Sequence, residues 1–320
     1  MYKCKFRWPN DAKIAVVFNM SWESWDDTLG TGKDKERGSP NIPATSPYTR
    51  GMRWVFEHSY GDHGGLLRLL DVWDRHKIKS SCYADGLTVK LFPGLAKEVR
   101  EGGHEFIVQG WDHSALWAQT VEQQAASIDN TIEVFKKQGI TFTGFSSSGG
   151  NVTYETFPMA AERGFKYVCG LRNCDVPFII PVGKKKLVGM TSYDLSDFGT
   201  AGGRTTTPRQ MLGMWRDYFD GLYAEGERGY PKMIAYGTHP FVSHPHRTQP
   251  LEEVISYVKS KPGVWFATRG EIAQWMLDEY PDYDLSKFYP EAAQSDRYYG
   301  LGIGLGGAQG DAKHKSYRQR

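Results

Sequence analysis

An α/β fold is what this sequence predicts, and three observations predict it. Short apolar runs rich in β-branched residues alternate with longer segments of helical period. No linker and no internal repeat interrupts that alternation. The 320 residues, 40% of them apolar, suffice for one large α/β domain or two small ones. About seven strands with intervening helices imply parallel pairing, as a (β/α) barrel or a doubly wound sheet.

The elements follow in order. AKIAVVF (Ala12–Phe18) is the first strand. Asn19 to about Arg53 is irregular and rich in Gly, Ser, Pro and Thr, and a loop that long in a compact domain is usually functional. GGLLRLLDVWDRHKI has helical period, with Leu66, Leu67, Leu70 and Trp73 expected on one face. KSSCYAD reads as a strand, LFPGLAKEVREGG as a helix ended by Gly102, and HEFIV as the third strand. TVEQQAASIDNTIEVFKKQGI is an amphipathic helix with Thr120 as N-cap and Gly139 past its end. TFTGFSSS is a strand, TYETFPMAAERGF a helix and KYVCGL a strand. PFIIPVG and KLVGMTSY are short strands flanking a solvated turn at Lys184–Lys186. PRQMLGMWRDYFDGLYAEG is a helix with Pro208 near its start. KMIAYGTH is a strand, LEEVISYVKS a helix, and VWFATRGEIAQWMLDEY a strand then a helix. The chain divides into a catalytic unit over 1–293 and a Gly-rich tail over 294–320, expected to be flexible or to clasp a partner. GLGIGLGG in that tail follows no strand and opens no helix, so it is not a nucleotide loop.

Composition narrows the function. The net charge is +2 with scattered basic residues, which argues against a nucleic-acid partner. No apolar run reaches membrane-spanning length and no signal-peptide pattern is visible, so a cytoplasmic protein without a membrane partner is expected. The four cysteines lack disulfide-framework or zinc-finger spacing. Cys82 and Cys169 lie in apolar runs and read as packed thiols, whereas Cys174 lies in a polar loop. Aromatic content is 14%, with 10 Trp, which suits a concave site for a planar or sugar-like ligand.

Four strand ends carry chemically able residues. NMSWESWDD follows the first strand and holds Ser21, Trp22, Glu23, Trp25, Asp26 and Asp27. QGWDH follows the third, with Gln109, Trp111, Asp112 and His113. SYDLSDF holds Asp194 and Asp197, and THPFVSHPH holds His239, His244 and His246. In a parallel sheet these ends share one face. Asp26, Asp27 and Asp112 read as solvated or capping, and His244 and His246 as surface residues beside Pro245.

The order of these motifs resembles the polysaccharide-deacetylase family, the NodB-homology or carbohydrate esterase family 4 fold. The resemblance spans about Trp8 to Tyr280. MSWES, QGWDH and YGTH stand for the family's acidic motif, its H-x-x-x-H motif and its late strand-end His. RWPNDAKIAVVF, Tyr60-Gly61 with Gly65 and Arg68, LYAEGERGYPKM and GVWFATRGEIAQW are similar to the branch of allantoinases and cyclic imide hydrolases. The resemblance implies a distorted (β/α) barrel of about seven parallel strands, and a homo-oligomer, dimer or tetramer. Three positions depart from the family pattern. Gln109 replaces the first His of the pair, Ser21 stands at the catalytic-base Asp and Glu23 at the metal-binding Asp. GFSSSGGN also lacks the family's arginine.

A catalytic zinc needs three strong protein ligands and an open position. Glu23 and His113 supply two, and the Gln109 amide oxygen is a poor third, so no metal cofactor is expected. If one is held, it is zinc on Glu23, His113 and Gln109. The remaining groups suit a hydrolase opening a small cyclic amide (an imide, a hydantoin or an allantoin-like ring) by activated water. The alternatives are a metal-dependent deacetylase of an N-acyl or O-acyl carbohydrate and a non-catalytic binding protein. Glu23 is expected as general base, its carboxyl raised by burial against Trp22 and Trp25. His113 and His239 hold the water or protonate the leaving nitrogen. Gln109 is expected to bind the ring by donating to its carbonyl and accepting its N–H, with Trp111 as a flat wall. Ser21, Trp22 and Asp197 complete the substrate contacts, Asp197 orienting a histidine. No nucleophile elbow surrounds Ser21.

Overall fold

The apolar runs form strands where their periodicity places them. The structure, a computed structural model, describes residues 6–24, 52–116, 119–153, 155–191, 195–197 and 207–287. Trp25, Asp26, Asp27, Trp117, Asp194 and the 294–320 tail lie outside the described residues. The strands are β1 (Ile14–Trp22), β2 (Ser81–Ala84), β3 (Glu105–Val108), β4 (Phe142–Phe145) and β5 (Tyr167–Leu171). They continue as β6 (Phe178–Val182), β7 (Lys185–Thr191), β8 (Leu195–Ser196), β9 (Lys232–Thr238) and β10 (Val264–Phe266). The helices are α1 (Met52–Tyr60), α2 (Leu66–Arg75), α3 (Gly86–Leu91), α4 (Pro93–Glu101) and α5 (Val121–Lys137). Then come α6 (Thr156–Glu162), α7 (Pro208–Glu227), α8 (Pro245–Lys259) and α9 (Arg269–Glu279).

The strands form one sheet in the order β6-β7-β5-β4-β3-β2-β1-β9-β8, with β10 also on β1. Every pairing is parallel except β6 with β7. The expected α/β fold with a mostly parallel sheet is therefore present. β6 runs the other way because Gly183, at φ +58°, and Lys184 reverse the chain in two residues. Lys184, Lys185 and Lys186 are exposed, as a solvated turn requires.

One side chain reports the curvature of this sheet. Arg269, fully buried, donates from Nε to Asn19 Oδ1 on β1 at 3.2 Å and from Nη1 to the Thr191 carbonyl on β7 at 3.3 Å. Its backbone N–H donates to Ser81 Oγ on β2, and its guanidinium lies 5.7 Å from the Tyr83 ring centre. β7 and β1 are separated by four strands in the sheet order. Five strand spacings on a flat sheet are roughly 24 Å, so one guanidinium reaches both strands only if the sheet curls around it. The strand order stays open between its two ends, β6 and β8. The segment after β5 lies at that seam, where the Asp175 carbonyl accepts the Met233 N–H and Asp175 Oδ2 accepts Lys232 Nζ.

The helices cover the convex face. Thr120 caps α5 and Thr207 caps α7, each in a capping box with a glutamine three residues on. Gly139 takes a positive φ just past α5, as expected. Three expectations are corrected. Leu67 is exposed, and the buried stripe of α2 is Leu66, Leu69, Val72 and Trp73. A residue next to Leu66 lies about 100° round the helix, which carries Leu67 off the stripe. The helix expected from Leu91 begins at Pro93, because proline suits the first helical turn and not the interior. The chain from Gly86 to Leu91 is a separate helix that the sequence reading did not assign. Cys82 and Cys169 are buried, and burial pushes the Cys169 thiol up to about 11. Among the described residues, no helix is long and apolar enough to cross a membrane.

Two stability predictions follow from buried groups. Arg269→Ala leaves Asn19 and the Thr191 carbonyl without their donor inside the sheet. It should cost about 3 kcal/mol or more in denaturant unfolding, and Arg269→Lys should recover little, because an ammonium cannot span both acceptors. His104 Nδ1 accepts hydrogen bonds from the Ser80 N–H and hydroxyl, a role only the neutral ring performs. Burial, aided by Lys79, lowers this imidazole from 6.5 to about 4. The unfolded chain thus binds a proton that the native chain refuses, so stability should fall as pH drops from about 6.5 to about 4. His104→Asn should flatten that slope in thermal melts across the window; an unchanged slope would place its origin elsewhere.

Candidate active site

Strand alternation selects the residues of the site. Asn19, Ser81 and Tyr83, which meet Arg269, mark the concave face, and all are odd-numbered. Glu105 belongs with them, accepting the Ser81 and Tyr167 hydroxyls. The same parity continued past the strand ends leads to Glu23, Asp85, Gln109 and His239. Even-numbered residues of β1 face the helices: the Phe18 ring packs 5.4 Å from Trp73 of α2.

Glu23 is the centre of the cluster. Gln109 Nε2 donates to its Oε1 at 3.0 Å, and His113 Nδ1 lies 3.5 Å from the same oxygen. The Glu23 and His113 side chains are 4% and 11% exposed. The Gln109 amide thus turns its N–H toward the carboxylate oxygen, which accepts. Gln109 Oε1 is then buried with no hydrogen-bond partner among the described residues. Burial lowers the His113 imidazole from its ordinary value, with Glu23 pulling the other way.

Asp197 grips His239 at two points. Its Oδ1 is 2.7 Å from His239 Nδ1, and its Oδ2 accepts the His239 backbone N–H at 2.9 Å. A carboxylate at Nδ1 fixes the ring proton on that nitrogen. His239 and His113 are near enough for the charge of one to disfavour the charge of the other.

A third imidazole comes from a helix. The His58 ring on α1 lies 4.1 Å from that of Phe241, and the His239 ring meets Phe241 edge-on at 5.5 Å. Burial pushes His58 down to about 4, against the pull of Glu23. A one-turn π-helical segment, Gly61–Gly65, connects α1 to α2 and packs on the 3-10 turn Pro240–Val242. A Cβ on Gly65 would lie 1.8 Å from the Pro240 carbonyl oxygen, so only glycine permits this approach. Arg68 ties the same elements together, donating to the Ser243 carbonyl at 2.8 Å and to the Tyr60 hydroxyl.

The donor set does not fit a three-ligand zinc centre. Among the described residues, no three His, Cys, Asp or Glu side chains converge as ligands. Gln109 meets Glu23 through its N–H, which cannot ligate a cation.

Of the expected site residues, the structure brings Glu23, Gln109, His113, Asp197 and His239 to the concave end of the sheet, and Ser21 to the same face of β1. Trp22 and Trp111 are corrections. Trp22 is even-numbered, buried on the other face, and donates to Asp62 Oδ1 at 2.8 Å. The Trp111 ring sits beside Lys90, in a pocket of about 370 Å³ with Asn130, Glu133 and Lys137 of α5. It turns there because Gly86 leaves room against it. Asp112 accepts the Ser114 N–H in a turn within the loop rather than capping a helix, and His244 stacks on Tyr60. Sequence reasoning missed His58 and Asp85. Parity at the end of β2 was the signal for Asp85; His58 offered none, because it depends on how α1 packs.

Comparisons agree with this architecture. Residues 55–168 match the family described as "Polysaccharide deacetylase". A Schizosaccharomyces pombe protein named "Putative polysaccharide deacetylase" is 27% identical over 315 residues, covering 86% of this chain and 93% of its own. The solved "probable Polysaccharide deacetylase" of Pseudomonas aeruginosa PAO1 superposes with TM-score 0.74 at 23% identity, over 85% of this chain and 94% of that one. The solved "Puue Allantoinase" also gives TM-score 0.74, at 22% identity, over 85% of this chain and 93% of that one. These two structures share the fold.

The Asp197 grip is directly measurable. In ¹⁵N-edited imidazole spectra His239 should show its proton on Nδ1, and Asp197→Ala should mix the two tautomers. A wild-type spectrum in that variant would remove the orienting role.

Proposed function

From the premise that the chain belongs to the polysaccharide deacetylase family, a family of hydrolases, we propose that it opens a small cyclic amide with activated water and without an essential metal. One observation carries this reading. Gln109, where the family pattern has a histidine, spends its N–H on Glu23. The Glu23 carboxylate, buried beside the Gln109 amide and 3.5 Å from the His113 imidazole, is the group placed to receive a proton from a water there. The allantoinase among the structural neighbours bears the name of an activity on such a ring.

The steps follow from the positions of the groups. Glu23 takes a proton from a water, whose oxygen attacks a ring carbonyl. The ring C–N bond breaks, and the carbonyl carbon keeps the new oxygen as a carboxylic acid. The bare His239 Nε2 takes over the proton that Glu23 removed from the water, and the imidazolium so formed, stabilised by Asp197 through Nδ1, gives it to the departing nitrogen. His113, kept neutral by burial, orients Glu23 and the water. The expectation that Gln109 donates to the ring carbonyl is revised, since its N–H is engaged; its free oxygen accepts a ring N–H. An imide or hydantoin carbonyl is more electrophilic than a sugar acetamide, and its nitrogen is a better leaving group, so less Lewis-acid assistance is required.

The test is a screen of succinimide, glutarimide, hydantoin and allantoin with and without a chelator, alongside metal analysis. At least one ring should open at an undiminished rate after chelation, and Glu23→Gln should lose about 10³-fold in kcat. Activity confined to acetylated sugars, or lost on chelation and restored by zinc, would overturn the reading.

A further inference from the structure

Asp85 is a buried acid that the proposed chemistry does not use. Asp85 follows β2 and is fully buried. Its Oδ2 accepts the backbone N–H of Ser24 at 2.8 Å. Ser24 follows Glu23 directly, and its carbonyl accepts the backbone N–H of His113 at 3.1 Å. The Ser24 hydroxyl shares a hydrogen bond of 2.6 Å with Thr88 Oγ1 on α3. A single residue therefore links the strand end carrying the carboxylate to the loop carrying the imidazole, and Asp85 holds that residue by its N–H.

The anchor is itself fixed. The N–H groups of Gly86 and Leu87 donate to the carbonyls of Gly110 and Trp111 at 2.9 and 2.8 Å. The start of α3 is thus pinned to the loop between Gln109 and His113, and Asp85 stands where both meet. We infer that Asp85 is a positioning residue: by holding Ser24 it sets the spacing of Glu23 and His113. This rests on the reading that these two side chains carry the reaction. Burial, with Glu23 adding to it, holds the Asp85 carboxyl well above the usual range. The hydrogen bond is then what the site uses, and a neutral amide should replace the acid.

Asp85→Asn keeps an oxygen acceptor for the Ser24 N–H, and Asp85→Ala removes it. On whichever ring the wild type opens, Asp85→Ala should lose about 100-fold in kcat with a much smaller change in KM, and Asp85→Asn should stay near wild type. Amide exchange at Ser24 and His113, followed by NMR without substrate, should accelerate in Asp85→Ala and remain protected in Asp85→Asn. If the wild type opens no ring, the proposed function fails, and amide exchange alone decides the positioning role. Wild-type kcat and exchange in a folded Asp85→Ala would overturn it, as would an Asp85→Asn that falls as far as Asp85→Ala. Should Asp85→Ala not fold, Asp85→Asn decides: wild-type protection of both amides supports the inference, and their loss overturns it.

Discussion

The Arg269 guanidinium is the constraint on which the rest of the architecture depends. A parallel sheet of this length has no intrinsic reason to stop curling at a particular radius. Here, acceptors on β1 and β7 must both reach one planar cation. Glu105 nearby and the face of the Tyr83 ring oppose the cost of burying it. Arg269 arrives at the start of α9, directly after β10, which pairs with the first half of β1 while β2 pairs with the second. The chain thus enters the curled sheet from below, through the gap that the short β10 leaves. With the base set, strand alternation carries Glu23 to the opposite end, four residues or roughly 13 Å beyond Asn19.

The same logic explains the segment from Tyr60 to Arg68. Its glycines are pressed against Pro240 and Phe241, and its arginine holds the Ser243 carbonyl. These contacts fix the loop that begins at His239. They also bring α1 across that loop, so that Phe241 lies between the rings of His58 and His239. A motif far from the reacting groups in sequence thereby places two imidazoles.

Much of the fold was legible because its signals are local. β-Branched runs, capping threonines and the glycine after α5 act within a few residues of themselves. The site was legible where parity and strand order suffice, as for Glu23, Gln109, His113, Asp197 and His239. Aromatic residues misled, because Trp22 and Trp111 announce burial but not direction. For Trp22 parity held the answer, and Phe18 shows which way even-numbered residues point. For Trp111 the answer lay in Gly86, twenty-five residues earlier, whose missing side chain leaves room for the indole. His58 was invisible for a further reason: its place depends on the π-helical segment and on glycine contacts that no periodicity encodes.

The exchange of an imidazole for an amide at position 109 has consequences beyond metal affinity. A carboxylate as buried as Glu23 must have its charge compensated. A cation would do so and would also polarise a bound carbonyl. An amide N–H and an imidazole lie against the carboxylate alone and do nothing for a bound carbonyl. Under the proposed reaction the carbonyl must therefore bring its own electrophilicity, which favours a carbonyl whose nitrogen already shares its electrons with a second acyl group. The amide also presents an acceptor oxygen that an imidazole directed at a metal would not, and a buried acceptor without a donor is costly. Under the proposed reaction a ring N–H would supply that donor, and the residue that disfavours a metal would also select the nitrogen-bearing ring.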